Sequence, residues 1–149
     1  MIKINLFFDQ NLKSIKLPAI LKIPHKRISS DFVLDTGSPH TILNYSDSIR
    51  LGIPHTAKGE IIRIGGKIYQ SYIFNKFEIL LKATNNQIVT EIIPIRILKP
   101  HNLKINEIEE LDNFPNLLGL DFLEKGYNLF CDINSNKIYF EKENFSNIN

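Results

Sequence analysis

Asp35 lies in the run Phe32-Val33-Leu34-Asp35-Thr36-Gly37-Ser38, where three apolar residues lead a carboxylate into a Thr-Gly-Ser turn. A carboxylate at the end of a buried strand needs partners, because an unpaired charge there is costly. Its neighbours offer them. Gly37 lets the backbone turn sharply and approach another chain closely. Thr36 and Ser38 carry short hydroxyls able to donate to carboxylate or backbone oxygens. A carboxylate held this way can take up and release a proton during a reaction. The competing reading is a plain surface turn, since Asp-Thr-Gly is also an ordinary turn composition.

Other chemistries find less support in the residue pattern. His25, His40, His55 and His101 are scattered without zinc-ligand spacing, so neither a metal nor a cofactor is expected. His40 is close enough to Asp35 in sequence to line a cleft. Ser38 has no Gly-x-Ser-x-Gly elbow for a serine triad, and Gly65-Gly66-Lys67 lacks the rest of a phosphate loop. Asp121 has no Thr-Gly after it and reads as structural, while Asp9, Asp31, Asp47, Asp112 and Asp132 suit turns or strand ends. Cys131 alternates within a strand and reads as a small buried hydrophobe. Tyr69 and Tyr72 read as packing or strand-surface residues.

The elements that must position Asp35 are mostly strands. Ile2, Ile4 and Leu6 alternate with polar residues, and Ile15, Leu17, Ala19, Leu21 and Ile23 repeat the pattern with Pro18 at an edge or bend. Residues 60–74 form a hairpin turning at Gly65-Gly66, a pair that supplies the positive φ of a tight turn. A second hairpin over 77–98 turns near Asn85-Asn86, and a last pair of strands meets at Asn134-Ser135-Asn136. Ser46 is placed to cap a short helix that Gly52 stops, and a second short helix follows Gly119. Residues 101–113 are polar and read as a loop. The expected fold class is all-β with one or two short helices, closed or nearly closed into a barrel.

With 149 residues, 43% apolar and 23% charged, the chain suits one globular domain, expected over 1–142 with a polar tail at 143–149. A net charge of +2 with no basic run argues against nucleic acid. No apolar stretch approaches the ~20 residues that span a bilayer, so no membrane partner is expected. Residues 1–10 read as a strand and not as a signal peptide. A single cysteine fits a reducing, cytoplasmic setting.

The run Phe32 to Ser38 resembles the catalytic motif of the pepsin and retropepsin superfamily of aspartic peptidases. Retropepsin-like peptidases carry a later segment, two apolar residues and a Gly followed by a short helix. Leu117-Leu118-Gly119-Leu120-Asp121-Phe122-Leu123 resembles it in order, spacing and position. Between the two lies a hairpin flap, and residues 62–68 fall where that flap belongs. The resemblance is to the cellular, prokaryotic-type branch. Retroviral enzymes commonly pair an Arg after the second Gly with an acidic residue two places past the catalytic Gly; here those positions hold Leu120 and Pro39.

The resemblance implies an aspartic endopeptidase that works as a homodimer on an extended polypeptide. Asp35 would be catalytic, with Thr36, Gly37 and Ser38 supporting it. Only one Asp-Thr-Gly is present, so a second copy would supply the other carboxylate. Ile64, Gly65, Gly66 and Ile68 of the flap, with Phe114, Pro115 and Leu117, would contact substrate. Leu118, Gly119 and Asp121 would form the structural motif. A Ser38 hydroxyl donating to the ionised carboxylates would draw the working range toward acid. Two other readings stay open: a non-catalytic peptide-binding or dimerisation module on the same fold, and a generic β-barrel binder with a coincidental turn.

Overall fold

Period-two alternation becomes strand along most of the chain. The computed structural model describes residues 1–100 and 114–143; the expected polar loop at 101–113 and all of the expected tail after Glu143 lie outside the described residues. The order is β1 (Ile2–Asn5), β2 (Phe7–Asp9), β3 (Ser14–Ile23), β4 (Lys26–Leu34), β5 (Ile42–Leu43) and α1 (Tyr45–Leu51). It continues with β6 (Lys58–Ile64), β7 (Lys67–Lys82), β8 (Ile88–Pro100), β9 (Asn116–Leu118), α2 (Leu120–Leu123), β10 (Asn128–Asp132) and β11 (Lys137–Lys142).

Eight strands form one sheet in the order β2-β3-β4-β9-β5-β8-β7-β6, and β1-β11-β10 form a second. The large sheet curls back on itself because β3 changes partner along its length. Its first half pairs with β2 through Phe7↔Lys16, and its second half pairs with β7 through Ile20↔Leu80 and Leu21↔Ile79. Pro18, which has no N–H to give a ladder, falls between those two stretches. The sheet nevertheless keeps β2 and β6 as edge strands, so of the closed or nearly closed barrel expected from the sequence, the closed form is not reached. Among the described strands, β6 ladders with β7 alone, at one end of the sheet.

Alternation puts Leu17, Ala19 and Leu21 of β3 and Ile93, Ile95 and Ile97 of β8 inside, together with Phe32, Phe77, Phe122 and Phe140. Full burial of each such side chain is worth about 1.5–3 kcal/mol. The hairpin turn at Gly65 and Gly66 has φ of 57° and 78°, the left-handed pair that a two-residue connection requires.

Three local expectations are corrected. The cap of α1 is Asn44, whose side chain accepts from the Asp47 N–H, and not Ser46. Asp31 lies within β4 and not at its end, because the β3–β4 hairpin pairs residues as far as Ile23↔Lys26. Cys131 is exposed; β10 is an edge strand that also leaves Leu129 and Phe130 uncovered.

His55 illustrates how packing sets charge. Its ring sits between those of Tyr45 and Tyr72, with centroids 5.4 and 5.3 Å away, and Nε2 lies 3.0 Å from Ser48 Oγ. Burial, and after it the Lys99 charge, hold the imidazole below the ordinary value of 6.5. The unfolded chain therefore binds this proton more readily than the folded one. The His55 contribution is fully present above the unfolded pKa and is lost as pH falls from there through the folded value. Thermal melts between about pH 7.5 and pH 5 should show stability declining with acidification. In His55→Gln that part of the slope should vanish, and an unchanged slope would contradict the assignment.

Candidate functional site

Asp35 stands one residue past β4, and the sheet delivers it there. β4 runs parallel to β9 through Phe32↔Asn116, Val33↔Leu117 and Leu34↔Leu118. That ladder continues into the turn, where the Asp35 N–H donates to the Leu118 carbonyl at 3.0 Å. The turn closes when Ser38 N–H donates to the Asp35 carbonyl at 3.1 Å. Within it, Asp35 Oδ1 accepts from Gly37 N–H at 3.0 Å. A Cβ on Gly37 would stand 3.2 Å from that oxygen, so glycine keeps this side of the carboxylate clear.

Of the two acceptors the sequence offered, the Ser38 hydroxyl takes the backbone one. Ser38 is buried, and its Oγ donates to the His40 carbonyl at 2.7 Å. That hydroxyl stiffens the loop and does not bond the Asp35 carboxylate, so the expected draw toward acid has no geometric basis here. Thr36 is exposed.

The second half of the scaffold is the β9–α2 junction. Leu120 N–H donates to Ser38 O at 2.9 Å and Asp121 N–H to Pro39 O at 3.3 Å. Asp121 accepts from Thr41 twice, from the backbone N–H at 3.0 Å and from Oγ1 at 2.6 Å. Thr41 Oγ1 in turn accepts from Gly119 N–H at 3.1 Å. These bonds join the loops whose Leu120 and Pro39 positions cannot form an ion pair. Gly119 is required for space and not for conformation: its φ is −94°, but a Cβ would lie 2.5 Å from His40 C and O and 2.8 Å from Ser38 O.

Beneath β9 lies a polar network that sequence reading missed. Asp47 is buried and accepts from Ser30 Oγ at 2.6 Å, Asn116 Nδ2 at 2.8 Å and Arg50 NH1 at 2.8 Å. Asn116 Oδ1 accepts from Asn44 N–H at 2.8 Å. The network fastens α1 to β4 and β9. Asp47 is thus no surface turn residue but a satisfied buried charge.

Above Asp35 a cleft of about 580 Å³ opens between the turn and β6. Asp35, Gly37, Ser38, Pro39 and His40 line one side; Ile42 and Leu117 form the floor; Glu60, Ile62, Arg63 and Ile64 line the other. Of the residues named from sequence, Asp35, Gly37, Ser38, His40, Ile64 and Leu117 meet here. Gly65 and Gly66 are at the exposed flap tip, and Ile68 is 41% exposed on the flap. Phe114 packs on Tyr69, ring centroids 6.1 Å apart, within the apolar cluster of Ile42, Tyr69 and Leu98. Pro115 is exposed. Leu118 and Gly119 are buried behind the turn.

Glu60 and Arg63 were not singled out from the sequence. A register irregularity between Lys58 and Ile61 interrupts the alternation of β6 at Glu60, and Glu60, Ile62, Arg63 and Ile64 all border the cleft. Glu60 Oε1 accepts from Arg96 Nε at 3.1 Å. Its own backbone amide, then Arg96, hold its carboxyl below the ordinary value. Among the described residues, no three His, Cys, Asp or Glu side chains gather where they could share a metal ion.

Among solved structures, the chain is similar to a retropepsin-like aspartic protease from Rickettsia conorii. The TM-score is 0.57 and the identity 14%, over 94% of this chain and 90% of that one. It also matches the retroviral protease-like domain of Ddi1 from Leishmania major, with a TM-score of 0.48 and 13% identity over 87% of this chain and 96% of that one. No protein-family model and no curated protein matches the chain. The fold is retropepsin-like.

The close approach at Gly119 gives a direct test. Gly119→Ala should force the Ser38–His40 backbone away from β9 and cost about 1–3 kcal/mol, the usual range for overpacking. Urea unfolding should show a lower midpoint with unchanged slope. A midpoint equal to that of the wild type would contradict the steric reading.

Proposed function

We propose that the chain is an aspartic endopeptidase in which Asp35 forms half of a catalytic pair and Asp35 of the partner subunit forms the other half. The observation that carries this reading is a carboxylate opening into a 580 Å³ cleft beneath a hairpin flap, on a fold similar to that of an aspartic protease. The chain has one Asp-Thr-Gly, and two-fold symmetry supplies a second carboxylate with the fewest added parts.

In this mechanism the two carboxylates share one proton, because like charges about 3 Å apart do not both ionise readily; that pattern is taken over from aspartic proteases as a class. The ionised member takes a proton from a water as it attacks the scissile carbonyl. The protonated member donates a hydrogen bond to the carbonyl oxygen as charge develops there. The Gly37 N–H bond to Asp35 Oδ1 leaves Oδ2 for these proton transfers. The substrate lies extended, as an added strand beneath β6, with Ile62, Ile64 and Leu117 excluding water from around the reacting bond. Gly65 and Gly66 give the flap its hinge freedom.

Asp35→Asn should lower kcat for an unstructured protein substrate by about 10²–10⁴-fold or more, with far-ultraviolet circular dichroism unchanged. Retained hydrolysis in the variant would overturn the assignment. If the wild type binds a statine-type transition-state mimic without cleaving any peptide, the non-catalytic peptide-binding reading takes its place.

A further inference from the structure

Apart from Asp35, the cleft is apolar along most of its length, with two charged side chains on β6, Glu60 and Arg63. Ile42, Ile62, Ile64, Leu117 and Pro39 offer no charge, whereas Glu60 places a carboxylate on the same wall. Its partner is unequally placed: the Arg96 side chain is 14% exposed and the Glu60 side chain 48%. The guanidinium lies behind the carboxylate, in an adjoining cavity of about 380 Å³ that it shares with His40, Asp121 and Lys125. Of this ion pair, a molecule in the cleft therefore meets the Glu60 anion and not the Arg96 cation.

Glu60 is also fixed. Ser71 Oγ donates to its carbonyl oxygen, and Gln70 Nε2 donates to the neighbouring Gly59 carbonyl at 3.0 Å. Arg96 is anchored in turn, its N–H donating to Thr41 O at 3.0 Å. Oε1 accepts from Arg96, and the Glu60 side chain stays half exposed. A preorganised, half-exposed carboxylate favours a cationic donor over a neutral one and repels a second carboxylate. Arg63 also lines the cleft, but it stands three residues from Glu60 toward the flap tip, opposite Ile68 in the ladder, which at ~3.3 Å per residue sets it about 10 Å along the strand.

We infer that Glu60, buttressed by Arg96, makes one end of the cleft a subsite for a basic side chain, so that peptides carrying Lys or Arg at a single position beside the scissile bond are preferred. This rests on the proposed peptidase activity and adds the substrate class.

The test is a peptide library that samples every residue at each position flanking the cleaved bond, followed by matched peptides carrying Lys, Gln or Glu at the selected position. The wild type should favour Lys over Glu in kcat/KM by about tenfold or more at one position. Glu60→Gln should bring that ratio to within about twofold, whereas Glu60→Asp, which keeps the charge, should retain the preference. Cleavage with no basic preference in the wild type, or a preference that survives in Glu60→Gln, would overturn this subsite and leave the peptidase reading standing. A wild type that neither cleaves nor binds any library member would overturn both.

Discussion

The backbone contact between the β9–α2 junction and the turn after β4 is the constraint on which the site depends. Where Gly119 crosses Ser38 and His40, the chains are so close that no side chain fits between them. Only at that separation can Leu120 N–H reach Ser38 O, Asp35 N–H reach Leu118 O and the Asp121 carboxylate bridge to Thr41. Each bond is ordinary, worth on the order of 1 kcal/mol. Together they fix the Asp35 carboxylate to the rigid parallel ladder of β4 and β9, as a reacting group must be fixed if its geometry is to matter.

That constraint divides what sequence could reveal from what it could not. Asp35-Thr36-Gly37-Ser38, Leu117-Leu118-Gly119 and Gly65-Gly66 were legible because local backbone demands and a resemblance dictate them. Strand alternation was legible for the same reason. The degree of barrel closure was not, because it depends on which strands are left at the ends of the sheet, here β2 and β6. Ser46 looked like the cap of α1, yet Asn44 wins because Asn116, distant in sequence, holds its backbone N–H. Cys131 alternates like a core residue but lies on an edge strand. Asp47 and Glu60 look alike as single letters. One is buried beneath the site and the other faces the cleft, and only tertiary neighbours separate them.

The same geometry explains the distribution of polarity. Buried carboxylates appear where partners saturate them: Asp47 by Ser30, Asn116 and Arg50, and Glu91 by Tyr127 and Lys142. Tyr127 shows the consequence, since burial, then Glu91, push its phenol well above the ordinary range. Asp35 differs from these. Among the described residues its side chain is bonded by the Gly37 N–H at 3.0 Å, and the carboxylate lines the cleft. A carboxylate left under-partnered on a stiff scaffold suits a second carboxylate meeting it across a two-fold axis.

Mixing wild-type protein with Asp35→Asn under conditions that exchange subunits tests the shared site most directly. Peptidase activity is followed as the wild-type fraction falls at constant total protein. If each active site needs one Asp35 from each of two copies, activity should fall as the square of that fraction, to about one quarter at an equal mixture. A linear fall, to about one half, would show that a single chain completes its own site and would contradict the proposal.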